Sequence, residues 1–340
     1  MGLDDTFKPT SNAPSYEAPI VKSLPSLLKM TPYFRRVIWG GQKLASEFTK
    51  PLPKGATIGE SFEVSAVPHM ESVVASGPLE GTNILDLTQN FGLEFLGQDV
   101  HRRYDGEFPL LIKLLDANDD LSIQVHPDDT YARANDLGNF GKMEAWYVLR
   151  SDDGTVASGL KEGVDRQALA SAIESGTVED VVEFYPVSEG DIVYLKPGSV
   201  HALCKGVMVY EVQQSSSITF RLFDYNRPDA DGNLRELHVD QSLDVINFGD
   251  PAIIPAPVDT PVVVLSEHFT LEQYQCDSSV HHDAKESFAC LTLISGNAEI
   301  RSDDESLDLN LADTVVIPAG RAFEVSSSTP TTYLVSSVPT

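Results

Sequence analysis

The stretch GDIVYLKPGSVHAL (residues 190–203) decides the fold, because ADTVVIPAGRAFEV (312–325) repeats its pattern. Each runs turn, apolar strand, Pro and Gly, then strand. A strand–turn–strand phrase met twice, far apart in the chain, predicts two β modules built on one plan. His201 of the first phrase has no counterpart in the second, which carries Ala322 and Phe323 there. The second copy is therefore expected to keep the scaffold without the ligating side chain.

The segments around the first phrase are short, β-branched or aromatic, and broken by turn residues: VIWGG (37–41), ESFEVSAV (60–67), SVVAS (72–76), EAWYVLR (144–150), GVMVYEVQQ (206–214) and ITFRLFDY (218–225). Such spacing reads as a sandwich or barrel. Helical periodicity interrupts it at 83–97, at VDRQALASAIESGTVEDVVEFY (164–185) and at LRELHVDQSLDVINF (234–248). PAIIPAPVDTPV (251–262) reads as a proline-rich linker, and residues 263–340 return to strands and turns. The expected organisation is a flexible tail at 1–27, a first module at 28–250 with helical insertions, the linker at 251–262, and a second module at 263–340.

The chain has 340 residues, 41% hydrophobic and 22% charged, and a net charge of −27. That charge argues against nucleic acid and anionic membranes as partners, since both would be repelled. An anionic ligand could bind only where a local Lys or Arg cluster overrides the field. No run approaches a membrane-spanning length, and the polar N-terminus does not read as a signal peptide. Three cysteines without CxxC spacing suggest free thiols in a reducing compartment, so a cytoplasmic protein is expected.

Within DLSIQVHPDD (120–129), next to the apolar run FPLLIKLL (108–115), Gln124 and His126 stand two apart. On a strand they share a face with Ser122. Lys142, Glu144 and Trp146 share a face of another strand, and His201 follows the PGSV turn. A lone buried histidine is usually a hydrogen-bonded core residue, so the combination has to carry the reading. If these segments line one barrel, Gln124, His126, Glu144 and His201 converge as a set for a divalent ion. Two His and a Glu suit zinc, while Gln is unusual for it and iron or manganese would also accept these donors. Arg221 within ITFRLFDY needs an anion if it faces inward. Glu211 within MVYEVQ is a carboxylate in an apolar run and a candidate for proton transfer. The two could instead pair with each other as a structural salt bridge. The remaining histidines (69, 101, 238, 268, 281 and 282) have no such company and receive no role.

IGESFEVS, FPLLIKLLDANDDLSIQVHPDD, GKMEAWYVL, PGSVHAL and YEVQQSSSITFRLFDYNR occur in this order. Together they resemble the type I mannose-6-phosphate isomerases, in their short bacterial form, over roughly residues 30–338. The resemblance implies a mainly β protein with helical additions: two cupin-type β-barrel or jelly-roll domains, the first holding one zinc ion on Gln124, His126, Glu144 and His201. It implies a phosphosugar substrate, with Ser122, Lys142, Glu211 and Arg221 lining its pocket and Trp39 and Glu60 in the N-terminal part of the site. The implied reaction interconverts mannose 6-phosphate and fructose 6-phosphate through a cis-enediol. Arg221 would steady the enediolate, Lys142 contact phosphate or shuttle a proton, and Glu211 serve as candidate base. Leu203 stands where longer forms carry a Tyr, so no role for that Tyr transfers. The helical segment at 164–185 is also shorter than their inserted domain. Rival readings are a non-catalytic cupin that binds metal and sugar phosphate for regulation, a different metal-dependent cupin enzyme such as an oxygenase, and a purely structural pair of barrels.

Overall fold

The computed structural model describes residues 23–53, 55–228 and 232–340. Among the described residues four antiparallel sheets stack in two pairs. The first pair joins a seven-stranded sheet, in the order Ala256–Pro257, Asp191–Leu195, Glu144–Ser151, Val207–Gln214, Leu110–Asp116, Glu60–Val64 and Tyr33–Arg35, to a five-stranded one. The latter runs Phe220–Phe223, Ile123–Val125, His201–Leu203, Thr155–Leu160, Val182–Pro186. The second pair joins another seven-stranded sheet, centred on Ala289–Ser295 and Thr331–Ser337, to a four-stranded one holding Phe323–Ser326. Neither pair closes into a continuous barrel; each is a jelly-roll sandwich of the cupin kind.

The repeated phrase does the same structural job twice. Asp191–Leu195 and His201–Leu203 lie in opposite sheets of the first pair, and Thr314–Ile317 and Phe323–Ser326 in opposite sheets of the second. The Pro-Gly turn carries the chain across each sandwich.

Strand alternation explains FPLLIKLL. Leu110, Ile112 and Leu114 face one side and join Tyr147, Tyr210 and Val212 in a core that also contains Val316, Cys290, Leu334 and Phe288 of the C-terminal sheet. The two seven-stranded sheets thus pack back to back. Leu115 faces the other way, into the interior of the first sandwich with Trp146, Val148 and Val193. The run is apolar throughout because both faces are covered, which makes Lys113 in its middle conspicuous. Helices Arg166–Ser175 and Val239–Val245 lay Leu169 and Leu243 over the outer face of the five-stranded sheet. Among the described residues no helix is long and apolar enough to cross a membrane. The three cysteines are free and buried.

Several boundaries differ from the expectation. Of the tail at 1–27, residues 1–22 lie outside the described residues, and residues 24–27 are packed: Leu24 and Leu27 are buried, and Ser26 donates to the Ser302 carbonyl at 2.9 Å. Leu28–Thr31 and Val73–Val74, early in the chain, complete the C-terminal seven-stranded sheet. Within the proline-rich stretch, Ala256–Pro257 adds an edge strand beside Asp191–Leu195. The helix expected to 185 ends at Ser175, and Val182–Pro186 instead pairs with Thr155–Leu160, as its β-branched and aromatic residues favour. Only Val239–Val245 of the segment 234–248 is helical, because His238 spends its backbone N–H on the Arg221 carbonyl at 2.8 Å. VIWGG is a turn closed by Gly40 N–H on the Val37 carbonyl, with a single bridge from Gly41 to Ile58.

Candidate metal centre and active site

Cross-strand register places the polar residues of the first sandwich. Gln124 sits opposite His201 on one side and Arg221 on the other within the five-stranded sheet. On the facing sheet Glu211 lies between Trp146 and Lys113, and Phe62 lies beyond Lys113. All of these point into the sandwich, where a cavity of about 100 Å³ is lined by Trp39, Glu60, Ser122, Gln124, Lys142, Glu211 and Arg221. Its lining thus brings together every candidate site residue except His126, Glu144 and His201, which lie deeper.

Those three form the floor. Their ligand atoms all lie within 4.8 Å of one another, and each side chain is buried. His201 Nε2 is 3.1 Å from Glu144 Oε1 and 3.3 Å from Gln124 Nε2, so the Gln amide borders the cluster with its nitrogen, and its oxygen would face a metal ion with the amide turned over. Two turns hold this geometry. Gly198 donates its N–H to the His126 carbonyl at 2.9 Å and adopts φ +85°, which tethers the PGSV turn before His201 to the strand of Gln124 and His126. Lys142 N–H bonds the Pro127 carbonyl at 2.9 Å, bringing the start of the Glu144 strand beside the same segment. The His201 Nδ1 is 2.9 Å from the Ser199 carbonyl, a partner that leaves Nε2 facing the cluster.

Among the described residues, His126 Nδ1 and both oxygens of the fully buried Glu144 have no directed hydrogen-bond partner. Uncompensated polar atoms at that depth are costly. What offsets Glu144 is the Lys142 ammonium, 2.6 Å from its Oε2 and 3.1 Å from His126 Nε2. Burial opposes ionisation of Glu144, yet the Lys142 charge and then the two histidines hold its carboxyl well below the usual range. Burial, and next the Lys142 charge, push the His126 imidazole well below its ordinary value despite Glu144 nearby. A neutral imidazole beside an ionised carboxylate is the state a metal ion needs.

Glu211 is held on both oxygens: Lys113 Nζ donates to Oε1 at 3.0 Å and Trp146 Nε1 to Oε2 at 2.9 Å. Lys113 also reaches Gln213 Oε1 at 2.9 Å and lies 3.5 Å from Glu60. Burial alone would lower the Lys113 pKa, but Glu211 and Glu60 outweigh it and raise it. The alternative pairing of Arg221 with Glu211 is not formed; the partner is Lys113. Reading the sequence missed Lys113, although a lysine inside FPLLIKLL is the same signal that marked Glu211.

Arg221 has a buried Nε without a hydrogen-bond partner among the described residues. Burial and then the nearby Arg235 guanidinium lower its pKa, with Arg35 adding to the effect. Arg35 and Arg235 also line the cavity and were likewise unmarked. His238, given no role from the sequence, accepts the Arg221 backbone N–H on its Nδ1 at 3.3 Å and so helps fix that strand. A larger cavity of about 440 Å³ beside Lys161, Asn247 and Asp250 lies outside this constellation.

Residues 27–147 match the family model of the phosphomannose isomerase type I catalytic domain. The chain is 36% identical over 292 residues to the mannose-6-phosphate isomerase of Streptococcus mutans, covering 83% of this chain and 89% of that protein. It is 32% identical to mannose-6-phosphate isomerase ManA of Bacillus subtilis, covering 85% and 92%. The crystal structure of the mannose 6-phosphate isomerase from Bacillus subtilis superimposes with a TM-score of 0.80 at 30% identity, covering 93% of this chain and all of that one. A mannose 6-phosphate isomerase crystallised with zinc and yttrium shares the fold, with a TM-score of 0.71 at 16% identity, covering 91% of this chain and 99% of that one. On this identity and coverage, the chain belongs to the type I mannose-6-phosphate (phosphomannose) isomerases.

Proposed function

We propose that this pocket interconverts mannose 6-phosphate and fructose 6-phosphate on one zinc ion held by Gln124, His126, Glu144 and His201. The observation that carries the reading is the buried convergence of His126, Glu144 and His201, with His126 Nδ1 and both Glu144 oxygens left without directed partners. Two imidazoles and one carboxylate are donors that would hold a catalytic zinc ion, and the Gln124 amide oxygen would be a less usual fourth. When bound, zinc supplies Lewis-acid polarisation of the sugar carbonyl.

The chain's own residues supply the rest. The interconversion moves one proton between C2 and C1 and another between the oxygens on those carbons, which needs a base at the carbon and a cation beside the developing enediolate. Glu211 is the carboxylate in the cavity wall, and Trp146 and Lys113 fix its plane. Lys113, kept protonated by Glu211 and Glu60, holds positive charge against the same carboxylate. Arg221, whose Nε has no acceptor among the described residues, faces the substrate as the cation for the enediolate. Lys142 neutralises Glu144 and adds a second cation beside the metal ligands. Ser122 lines the cavity beside Gln124, and Trp39 and Glu60 line its N-terminal wall. In this reading the first sandwich is the catalytic module and the second its scaffold.

The test is turnover of mannose 6-phosphate by the zinc-loaded protein beside a chelated sample. Activity that is lost to the chelator and returns with zinc is the expected result. No fructose 6-phosphate at full zinc occupancy would sink the isomerase reading and leave a sugar-phosphate-binding cupin.

A further inference from the structure

Around the mouth of the cavity the structure gathers three guanidinium groups, in a chain whose net charge is −27. Arg221 comes from the five-stranded sheet, Arg235 from the segment that follows it, and Arg35 from the edge strand Tyr33–Arg35 of the facing sheet. The Arg35 side chain is 46% exposed and that of Arg235 22%, against 0% for Glu144 and 1% for His201. The cations therefore ring the entrance while the metal ligands occupy the floor.

Two of the three are aimed by buried carboxylates. Arg35 Nη1 bonds Glu60 Oε2 at 2.9 Å. Arg235 makes a fork with Asp224, Nε to Oδ2 at 2.6 Å and Nη2 to Oδ1, and Asp224 also takes Arg227 Nη2 at 2.9 Å. A guanidinium carries five N–H donors, so each arginine keeps donors beyond those its carboxylate uses. Like charges brought together from two sheets repel unless an anion lies between them. The planar fork of arginine suits a phosphate, and side chains already held by carboxylates lose little freedom when they bind it.

We propose that Arg35 and Arg235 are specificity-determining residues that grip the substrate's phosphate from opposite walls, with Arg221 between them and the metal ligands. The assignment rests on the isomerase reading for the identity of the phosphosugar, and the test separates the two. Calorimetric binding of mannose 6-phosphate to the zinc-loaded protein is measured for the wild type, R35Q, R235Q and the double variant, beside steady-state kinetics. Each single change is expected to weaken binding about tenfold and the double change more. KM should rise in parallel while kcat stays within about threefold, since the contacts are the same in ground and transition states.

A double variant that melts like the wild type and binds mannose 6-phosphate with unchanged affinity overturns the clamp. Should the double variant melt early, R35K with R235K decides: charge without the fork weakens binding several-fold if the clamp is real and not at all otherwise. Wild-type binding without turnover would remove the isomerase reading and keep the clamp. Turnover that ignores both arginines would do the reverse, and a wild type that neither binds nor converts mannose 6-phosphate removes both.

Discussion

At the scale of single residues, the site is a set of side chains whose charge contradicts their burial, and each contradiction is answered by a named neighbour. Glu211 is 3% exposed and shares its oxygens between Lys113 and Trp146. Glu211→Gln keeps the shape and an acceptor but removes the carboxylate. We expect kcat to fall about 10²–10⁴-fold, the range for losing a general base, while zinc content measured by atomic absorption stays at one per chain. Lost zinc would mean that Glu211 supports the metal cluster rather than the proton transfer. A carboxylate inside MVYEVQ calls for a partner and so marks Glu211 in the sequence, although a salt bridge to Arg221 would answer it equally, and Gln124, His126, Glu144 and His201 are marked only by their combination. Lys113 carried an equal signal and went unread. Arg35 and Arg235 carried none: an arginine at an edge strand or in a loop looks like ordinary surface until a second wall is brought opposite it.

At the scale of elements, the strands are generic and the turns do the placing. The PGSV turn sets His201 against Gln124, and Gly198 at its centre has φ +85°, a region side chains rarely enter. A Cβ there would lie 2.5 Å from Asn247 Nδ2 and 2.8 Å from the Val245 carbonyl oxygen, the latter backbone. Gly198→Ala must therefore shift the turn away from the Val239–Val245 helix and pull on its bond to His126. We expect a loss of about 1–3 kcal/mol in stability together with weaker zinc binding, read by a urea titration and a competitive zinc titration. Intact zinc affinity in a destabilised variant would show that the turn holds the fold but not the ligands. Pro, Gly and apolar alternation made most strands readable. The failures came where local pattern and partner disagreed. VVEFY completes a helical period with the preceding residues, yet the open edge of Thr155–Leu160 recruits its second half as a strand. The chain before Val239 cannot coil because the Arg221 backbone holds His238 twice, its carbonyl accepting the His238 N–H and its own N–H donating to His238 Nδ1.

At the scale of the whole molecule, two modules foreseen as neighbours share one core, which no local pattern could reveal. Strand Val207–Gln214 turns Glu211 into the pocket and Tyr210 into the C-terminal sheet, where its hydroxyl meets Ser336 Oγ at 2.8 Å. Nearby, the buried Lys50 bridges Glu63 at 2.6 Å and the Ala312 carbonyl at 2.7 Å, and Thr314 donates to the same Glu63 oxygen. Such packing predicts that the two sandwiches unfold as one cooperative unit, so a destabilising change far from the site should unfold both. His282 offers a reversible one. It is 6% exposed among Tyr274, Phe323 and Tyr333, its Nε2 lies 2.7 Å from the Tyr333 hydroxyl, and burial, then Lys285 and His281, lowers its pKa from 6.5 to about 4. The unfolded chain takes up a proton at His282 below pH 6.5 and the folded one only near pH 4. Over that window the unfolded state binds more protons, so stability falls as pH falls, by at most about 3 kcal/mol from this group. Both tryptophans, Trp39 and Trp146, lie in the interior of the other sandwich, so their fluorescence reports on the catalytic module alone. With one cooperative unit, the urea midpoint seen by tryptophan should drop between pH 6.5 and 4, and His282→Gln should flatten that drop. If the tryptophan midpoint in the variant keeps the wild-type pH slope while the C-terminal module unfolds separately, the shared core does not couple the two.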